Sequence, residues 1–230
     1  DMLSDYIYEL NFPKDSILQE IKFLFTPMLQ SITLPGSLTT IGPRSFQKCK
    51  FLHQIEFIKN NNDENNLSYI GDNAFNRTII ESITLPDKIK EIGSFCFPHT
   101  LKQIDFENGA PYLVKINDNA FDNTQIEIFK MPLNITLFIH AKNVFSNCKK
   151  LKTIIFDHYA NKSKPFSIKD EKECLQYHDM FCKLQIEKIE LFASNISNFL
   201  FYNTPKLNDI TISKSDNSKY IKQDGCLYTK

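Results

Sequence analysis

The sequence has no tryptophan and only six glycines in 230 residues. So little glycine excludes collagen-like chains, and 42% hydrophobic with 23% charged residues excludes a disordered one. Long apolar runs are also missing: even Ile21 to Phe25 is interrupted by Lys22, far short of the roughly 20 residues of a membrane-crossing helix. Neither sign of charge is in excess. With 27 Lys plus Arg against 27 Asp plus Glu and no long basic cluster, no net field draws a polyanion, so nucleic acid is not an expected partner. The six cysteines include no Cys-x-x-Cys pair and are too sparse for a disulfide scaffold. There is no Gly-x-Ser-x-Gly elbow and no phosphate-cradling glycine loop, and the five histidines fall at unrelated positions. Nothing points to catalysis, a cofactor or a small-molecule substrate. The chain begins Asp-Met-Leu-Ser, without a signal pattern, and reads as an excerpt of a longer one.

What is abundant is phenylalanine, at 20 residues, and it recurs in register. Ile41-Gly42, Ile70-Gly71 and Ile92-Gly93 each precede a phenylalanine by five residues, and each unit runs on into an apolar-polar-apolar triplet such as Ile55-Glu56-Phe57 or Ile83-Thr84-Leu85. The anchors Phe46, Phe75, Phe97, Phe121, Phe145, Phe181 and Phe201 are spaced by 29, 22, 24, 24, 36 and 20 residues, a basic period in the low twenties. Phe23 fits a weaker first copy, with Leu29 and Ile32 at the offsets at which Leu52 and Ile55 follow Phe46, and Leu10-Asn11-Phe12-Pro13 fits an earlier strand.

Each unit has a physical reading. The triplet alternates with period two, as a strand with one buried face does. Pro35, Pro86 and Pro132 follow it and end the ladder. A second apolar pair (Leu38 and Ile41, Ile89 and Ile92) leads to the glycine corner, where Gly42, Gly71 and Gly93 are expected to permit a bend. The chain then returns through the phenylalanine. One coil buries little, whereas stacked coils set the triplets side by side as a parallel sheet over one core.

The unit Leu-x-x-Ile-x-Leu-Pro-x-x-Ile-x-x-Ile-Gly-x-x-Ala-Phe-x-x-Cys resembles the leucine-rich repeats of BspA-like surface antigens of bacteria and protists. Ile70 to Pro86 and Asn147 to Phe156 carry the closest match, and Asn217 to Lys230 resembles the non-repeat connector of that family. The resemblance runs from about Leu29 to the end. It implies a strand-dominated α/β-type solenoid of about eight repeats filling residues 1–230 as one domain. Such a solenoid is a right-handed coil, with a parallel β-sheet on the concave face and short strands, turns or helical turns on the convex side. His140-Ala141 in place of Ile-Gly, and the missing Ile-Gly before Phe181, predict distorted coils there.

Insertions fall at 58–69, an Asn-rich stretch expected to be a solvated loop, and at 157–180, with room for a short helix near Lys169 to Met180. Residues 213–230 read as the connector or the start of a next segment. Cys49 and Cys148 both lie three residues after an anchor, Cys96 takes an alanine position, and Cys226 takes an apolar slot; all four read as small core fillers. Cys174, His178 and Cys182 at i, i+4 and i+8 would share a helical face and could hold zinc with Asp179 or His158. Phe181 as an anchor argues against that helix. Chance placement of loop residues therefore ranks first, a Cys174–Cys182 disulfide second and a zinc site last. Asn-x-Ser/Thr sequons occur at Asn66, Asn76, Asn134, Asn161 and Asn195, which would carry N-glycans on a secreted eukaryotic chain.

In such a solenoid the polar member of each triplet points out of the sheet. The candidate contact residues are therefore Thr33, Gln54, Glu56, Thr84, Gln103, Asp105, Ile128, Lys130, Thr153, Ile155, Lys188, Glu190, Asp209 and Thr211. Ile128 and Ile155, in adjacent strands, would form an apolar spot on an otherwise polar face. The resemblance implies a non-enzymatic recognition or adhesion module, at the cell surface or secreted, binding cell-surface or extracellular-matrix proteins. An intracellular scaffold using the same face is the alternative. A zinc-dependent activity at 157–181 comes third.

Overall fold

The computed structural model describes residues 6–132, 143–156 and 186–188, and the backbone of short strands at 166–167, 189–191, 193–195, 209–212, 220–223 and 226–229. Every triplet is a strand: β1 (Glu9–Asn11), β3 (Ser31–Leu34), β5 (Gln54–Phe57), β7 (Ser82–Leu85), β9 (Gln103–Phe106), β11 (Ile128–Lys130), β12 (Thr153–Phe156), β14 (Lys188–Leu191) and β16 (Asp209–Ile212). The two-residue strands β2 (Glu20–Ile21), β4 (Thr40–Ile41), β6 (Tyr69–Ile70), β8 (Glu91–Ile92) and β10 (Lys115–Ile116) lie between them. β13 (Phe166–Ser167) pairs with β15 (Ala193–Asn195), and β17 (Tyr220–Gln223) with β18 (Cys226–Thr229) form an antiparallel hairpin.

Both strands of each coil stack on their counterparts. β2, β4, β6, β8 and β10 form one unbroken parallel sheet, with Ile21, Ile41, Ile70, Ile92 and Ile116 in register. The triplet strands are parallel as well, but their sheet is not continuous: β1-β3-β5, β7-β9 and β11-β12-β14-β16 are separate ladders. The helical share of the α/β-type class is almost absent. Among the described residues, the rest of each coil is short strands and consecutive turns, as expected, with a 3-10 turn at Glu107–Gly109.

Phenylalanine anchors the return segment. Phe46, Phe75, Phe97, Phe121 and Phe145 are buried, and successive rings stack with centroids 5.4, 6.0, 5.1 and 5.5 Å apart and planes within 19°. Coil-to-coil backbone bonds fix the stack: Phe46 N–H donates to Ala74 O at 2.9 Å and Phe75 N–H to Cys96 O at 2.9 Å. The equivalent bond in the first coil comes from Leu24, to Ser45 O at 2.6 Å, so Leu24 holds the anchor position and Phe23 does not. Phe23 is 51% exposed. The expected offset was one residue out because this coil is shorter.

The glycine corners also differ from expectation. Gly42, Gly71 and Gly93 do not have positive φ. Their role is close approach: a Cβ on Gly71 would lie 2.5 Å from Pro43 N, and one on Gly93 2.4 Å from Asp72 N. Left-handed backbone sits elsewhere, two residues before each anchor at Arg44, Asn73, Phe95, Asn119 and Asn143, and two residues after it at Arg77, Asn123 and Asn147. Asparagine tolerates that conformation better than most residues do, which accounts for part of its abundance.

The 58–69 insertion is more than a solvated loop. Residues 61–64 are exposed, but Asn65 and Leu67 are buried, and Asn66 N–H donates to Gly36 O at 2.9 Å. A Cβ on Gly36 would lie 2.2 Å from Asn60 N, so the base of the loop is seated on that glycine. The possible helix at 169–180 lies outside the described residues.

Candidate partner-binding face

Because side chains alternate along a strand, fixing the buried member of each triplet fixes the outward one. Gln54, Glu56, Thr84, Gln103, Ile128 and Lys130 are exposed, while Thr33, Asp105, Thr153, Ile155 and Lys188 are half-buried. They form register rows: Thr33 with Glu56, Thr84 with Asp105, Ile128 with Thr153, Lys188 and Asp209, and Lys130 with Ile155, Glu190 and Thr211. The backbones of Glu190, Asp209 and Thr211 belong to β14 and β16; their side chains lie outside the described residues. Ile128 is 53% exposed, but it faces Thr153 across the ladder, and Ile155 faces Lys130. The two isoleucines are thus diagonal neighbours rather than a direct pair.

The two breaks in the triplet sheet differ. Between β9 and β11, Gln125 N–H still donates to Leu101 O at 2.8 Å, and Lys130 Nζ spans the gap to Asp105 Oδ1 at 3.2 Å. Gln103 Nε2 donates to the other oxygen of that carboxylate at 2.5 Å. Between β5 and β7 the link is the bond from Ile79 N–H to Leu52 O at 2.9 Å, ahead of both strands. Past it the strands part, leaving a cleft of about 370 Å³ lined in part by Ile55, Phe57, Ile83, Glu56, Asp105 and Glu107. Loss of a neighbour shows in the core: Ile32 and Leu34 of β3 are 1% and 0% exposed, whereas Ile55 and Phe57 of β5 are only half-buried.

A second cleft, of about 440 Å³, adjoins the first through Glu107 and runs under the 58–69 insertion past Asp63, Glu64 and Asp87. Lys59 and Lys88 line it too, paired with Asp63 at 3.6 Å and Glu64 at 3.1 Å. The two clefts together present six carboxylates against two ammonium groups. Sequence reasoning did not find this groove. The signal beside it in the sequence is the insertion at 58–69.

Cys49, Cys96 and Cys148 are buried free thiols, as core fillers should be. Burial pushes all three thiols up in pKa; hydrogen bonds from Thr26 and Thr124 offset part of this at Cys49 and Cys148, while the Asp72 charge adds to it at Cys96. Thr26 Oγ1 lies 3.5 Å from Cys49 Sγ and Thr124 Oγ1 3.3 Å from Cys148 Sγ. Cysteine and threonine therefore share one buried position three residues after the anchor, which Thr78 and Thr124 also occupy. Among the described residues no group of three His, Cys, Asp or Glu is placed to hold a metal, and no helix is long and apolar enough to cross a membrane. His158, Cys174, His178, Asp179 and Cys182, the candidate zinc set, lie outside the described residues, as do the sequons at Asn134 and Asn161. Asn195 ends β15, and its side chain is not described. Asn66 and Asn76 are half-buried, engaged with Lys88 Nζ and Asn73 Oδ1 at 3.0 Å each.

Six copies of the BspA type leucine rich repeat region match residues 16–152. Among solved structures the chain is similar to the pneumococcal vaccine antigen PcpA at 20% identity and a TM-score of 0.58, over 90% of this chain and 61% of that one. It thus spans about three fifths of that antigen's chain, and the likeness shows a shared fold. A leucine rich cell surface protein of Faecalibacterium prausnitzii matches at 17% identity and a TM-score of 0.46, over 90% of this chain and 69% of that one. The leucine rich repeat protein of T. pallidum matches at 15% and 0.41, over 89% and 69%. No curated protein matches. With repeat copies across more than half its length, the chain belongs to the BspA type leucine-rich repeat family.

Proposed function

We propose that the chain is a non-enzymatic recognition module at a cell surface, or secreted, that binds cell-surface or matrix proteins through its triplet-strand face. The observation that supports this most is Ile128, 53% exposed at the edge strand of a ladder whose other outward members are mostly polar. An apolar side chain held in water on a rigid sheet, ringed by Lys130 and Thr153, has the makings of an interface centre with a polar rim. The contact set comprises Thr33, Gln54, Glu56, Thr84, Gln103, Asp105, Ile128, Lys130, Thr153, Ile155, Lys188, Glu190, Asp209 and Thr211. N-glycans belong to the same proposal: at Asn66 or Asn76 a glycan displaces the contact to Lys88 or Asn73.

The test is binding of the purified chain to a panel of extracellular-matrix proteins and cultured cells, with and without Ile128→Glu plus Ile155→Glu. A tenfold or larger loss supports the face; unchanged binding of a bound partner rejects it. The scaffold reading uses the same face and differs in location. Antibody staining of intact cells favours the surface, and staining only after permeabilisation favours the scaffold.

A further inference from the structure

From the break in the triplet sheet we infer that the β5–β7 opening is a slot for an extended, basic segment of a protein partner, bound by backbone pairing. The inference rests on the recognition-face reading and gives it a specific locus. In the parallel ladder alternate residues bond to opposite neighbours. Gln54 N–H donates to Gln30 O at 3.2 Å and Ile58 N–H to Leu34 O at 3.0 Å, so Gln54, Glu56 and Ile58 are the residues turned toward β3. The N–H and C=O groups of Ile55 and Phe57 therefore point to the β7 side. On β7, Gln103 N–H donates to Glu81 O at 3.1 Å, which assigns Glu81, Ile83 and Leu85 to the β9 side and leaves Ser82 and Thr84 facing β5. No ladder joins β5 to β7. The opening thus has sheet edges on both walls, the arrangement that strand addition uses.

Two further features define the occupant. Ile55 and Phe57 are half-buried core residues at the opening, so one side of the segment is apolar. Glu56, Asp105 and Glu107 line the same cleft with no basic residue among its lining, and Asp63, Glu64 and Asp87 extend the acidic rim under the insertion. The whole chain has zero formal net charge, so this is a local concentration of negative charge. Only the Asp105 carboxylate in the first cleft is paired, with Lys130. A segment alternating apolar and Lys or Arg residues would complement both features, apolar side chains inward and cations toward Glu56 and Glu107.

The test uses a fluorescent synthetic peptide of alternating valine and lysine, its valine-glutamate counterpart, and a backbone N-methylated valine-lysine peptide that cannot donate to a sheet edge. Expected is saturable binding of the first alone, weakened at least tenfold in Glu56→Lys with Glu107→Lys. Glu56→Gln with Glu107→Gln, which keeps the shapes, should also weaken it in case the lysine variant fails to fold. No binding of the valine-lysine peptide, equal binding of the acidic or N-methylated peptide, or full binding to both glutamate variants would overturn the slot. Ile128→Glu with Ile155→Glu should leave peptide binding intact. Failure of the face and failure of the slot are therefore read separately.

Discussion

At the scale of the residue, the fold is specified by a few positions per coil, each for a distinct physical reason. Phenylalanine stacks on phenylalanine, glycine lets one corner lie against the next, and asparagine occupies left-handed backbone. Phe95 breaks the last rule: it has φ of 50° and is 41% exposed, where Asn73, Asn119 and Asn143 stand in other coils. Phe95→Asn should stabilise the chain by about 1 kcal/mol, read as a higher denaturation midpoint with an unchanged slope. Cysteine gives a second expectation. Because burial raises the pKa of Cys49, Cys96 and Cys148, the thiolate fraction at about pH 8 falls below that of a free cysteine. Iodoacetamide should leave these three unmodified in the native chain and label them after denaturation, as peptide mapping would show. Labelling in the native chain would contradict their core role. The sequence made the cysteines legible because two of them repeat at one offset. It hid the threonines at the same position, since Thr78 and Thr124 read as polar residues until their burial is seen.

At the scale of the element, the triplets were legible because period-two alternation bounded by proline is a strong signal, and each described triplet is a strand. Their pairing was less so. A repeat predicts that each triplet meets the next, but return length does not decide whether the strands bond: the step from anchor to strand shortens by one residue from β5 to β7 and again from β7 to β9, yet β7 bonds β9 and parts from β5. The groove was missed, because a gap between strands leaves no residue type behind. Hydrogen exchange checks the gap directly. The amides of Ile55, Phe57, Ser82 and Thr84 should exchange about 100-fold faster than those of Gln54, Glu56, Gln103 and Asp105, which belong to intact ladders. Equal protection would mean that β5 and β7 are bonded after all.

At the scale of the whole molecule, neighbouring coils are joined along three lines: the triplet ladders, the stacked phenylalanines and the five-strand sheet. Among the described residues only the first is interrupted. The charge balance follows the same division between local and global: a chain with no net charge carries a strongly acidic groove where its coils part. Composition alone therefore made a polyanion an unexpected partner and said nothing about a basic one.

The unbroken sheet of β2, β4, β6, β8 and β10 makes the protein behave like a bound book. Among the described coils its spine is sewn at every page, while the fore-edge parts between β5 and β7 and again between β9 and β11, where the Lys130–Asp105 ion pair clasps it. Spreading the pages between β5 and β7 strains one backbone bond ahead of the strands, Ile79 to Leu52, worth about 1 kcal/mol, and the exposed Lys88–Glu64 ion pair beyond them. Spreading them at β3 and β5 would tear a four-residue ladder. Of the two openings among the described residues, the one between β5 and β7 is the one whose strands no ion pair joins.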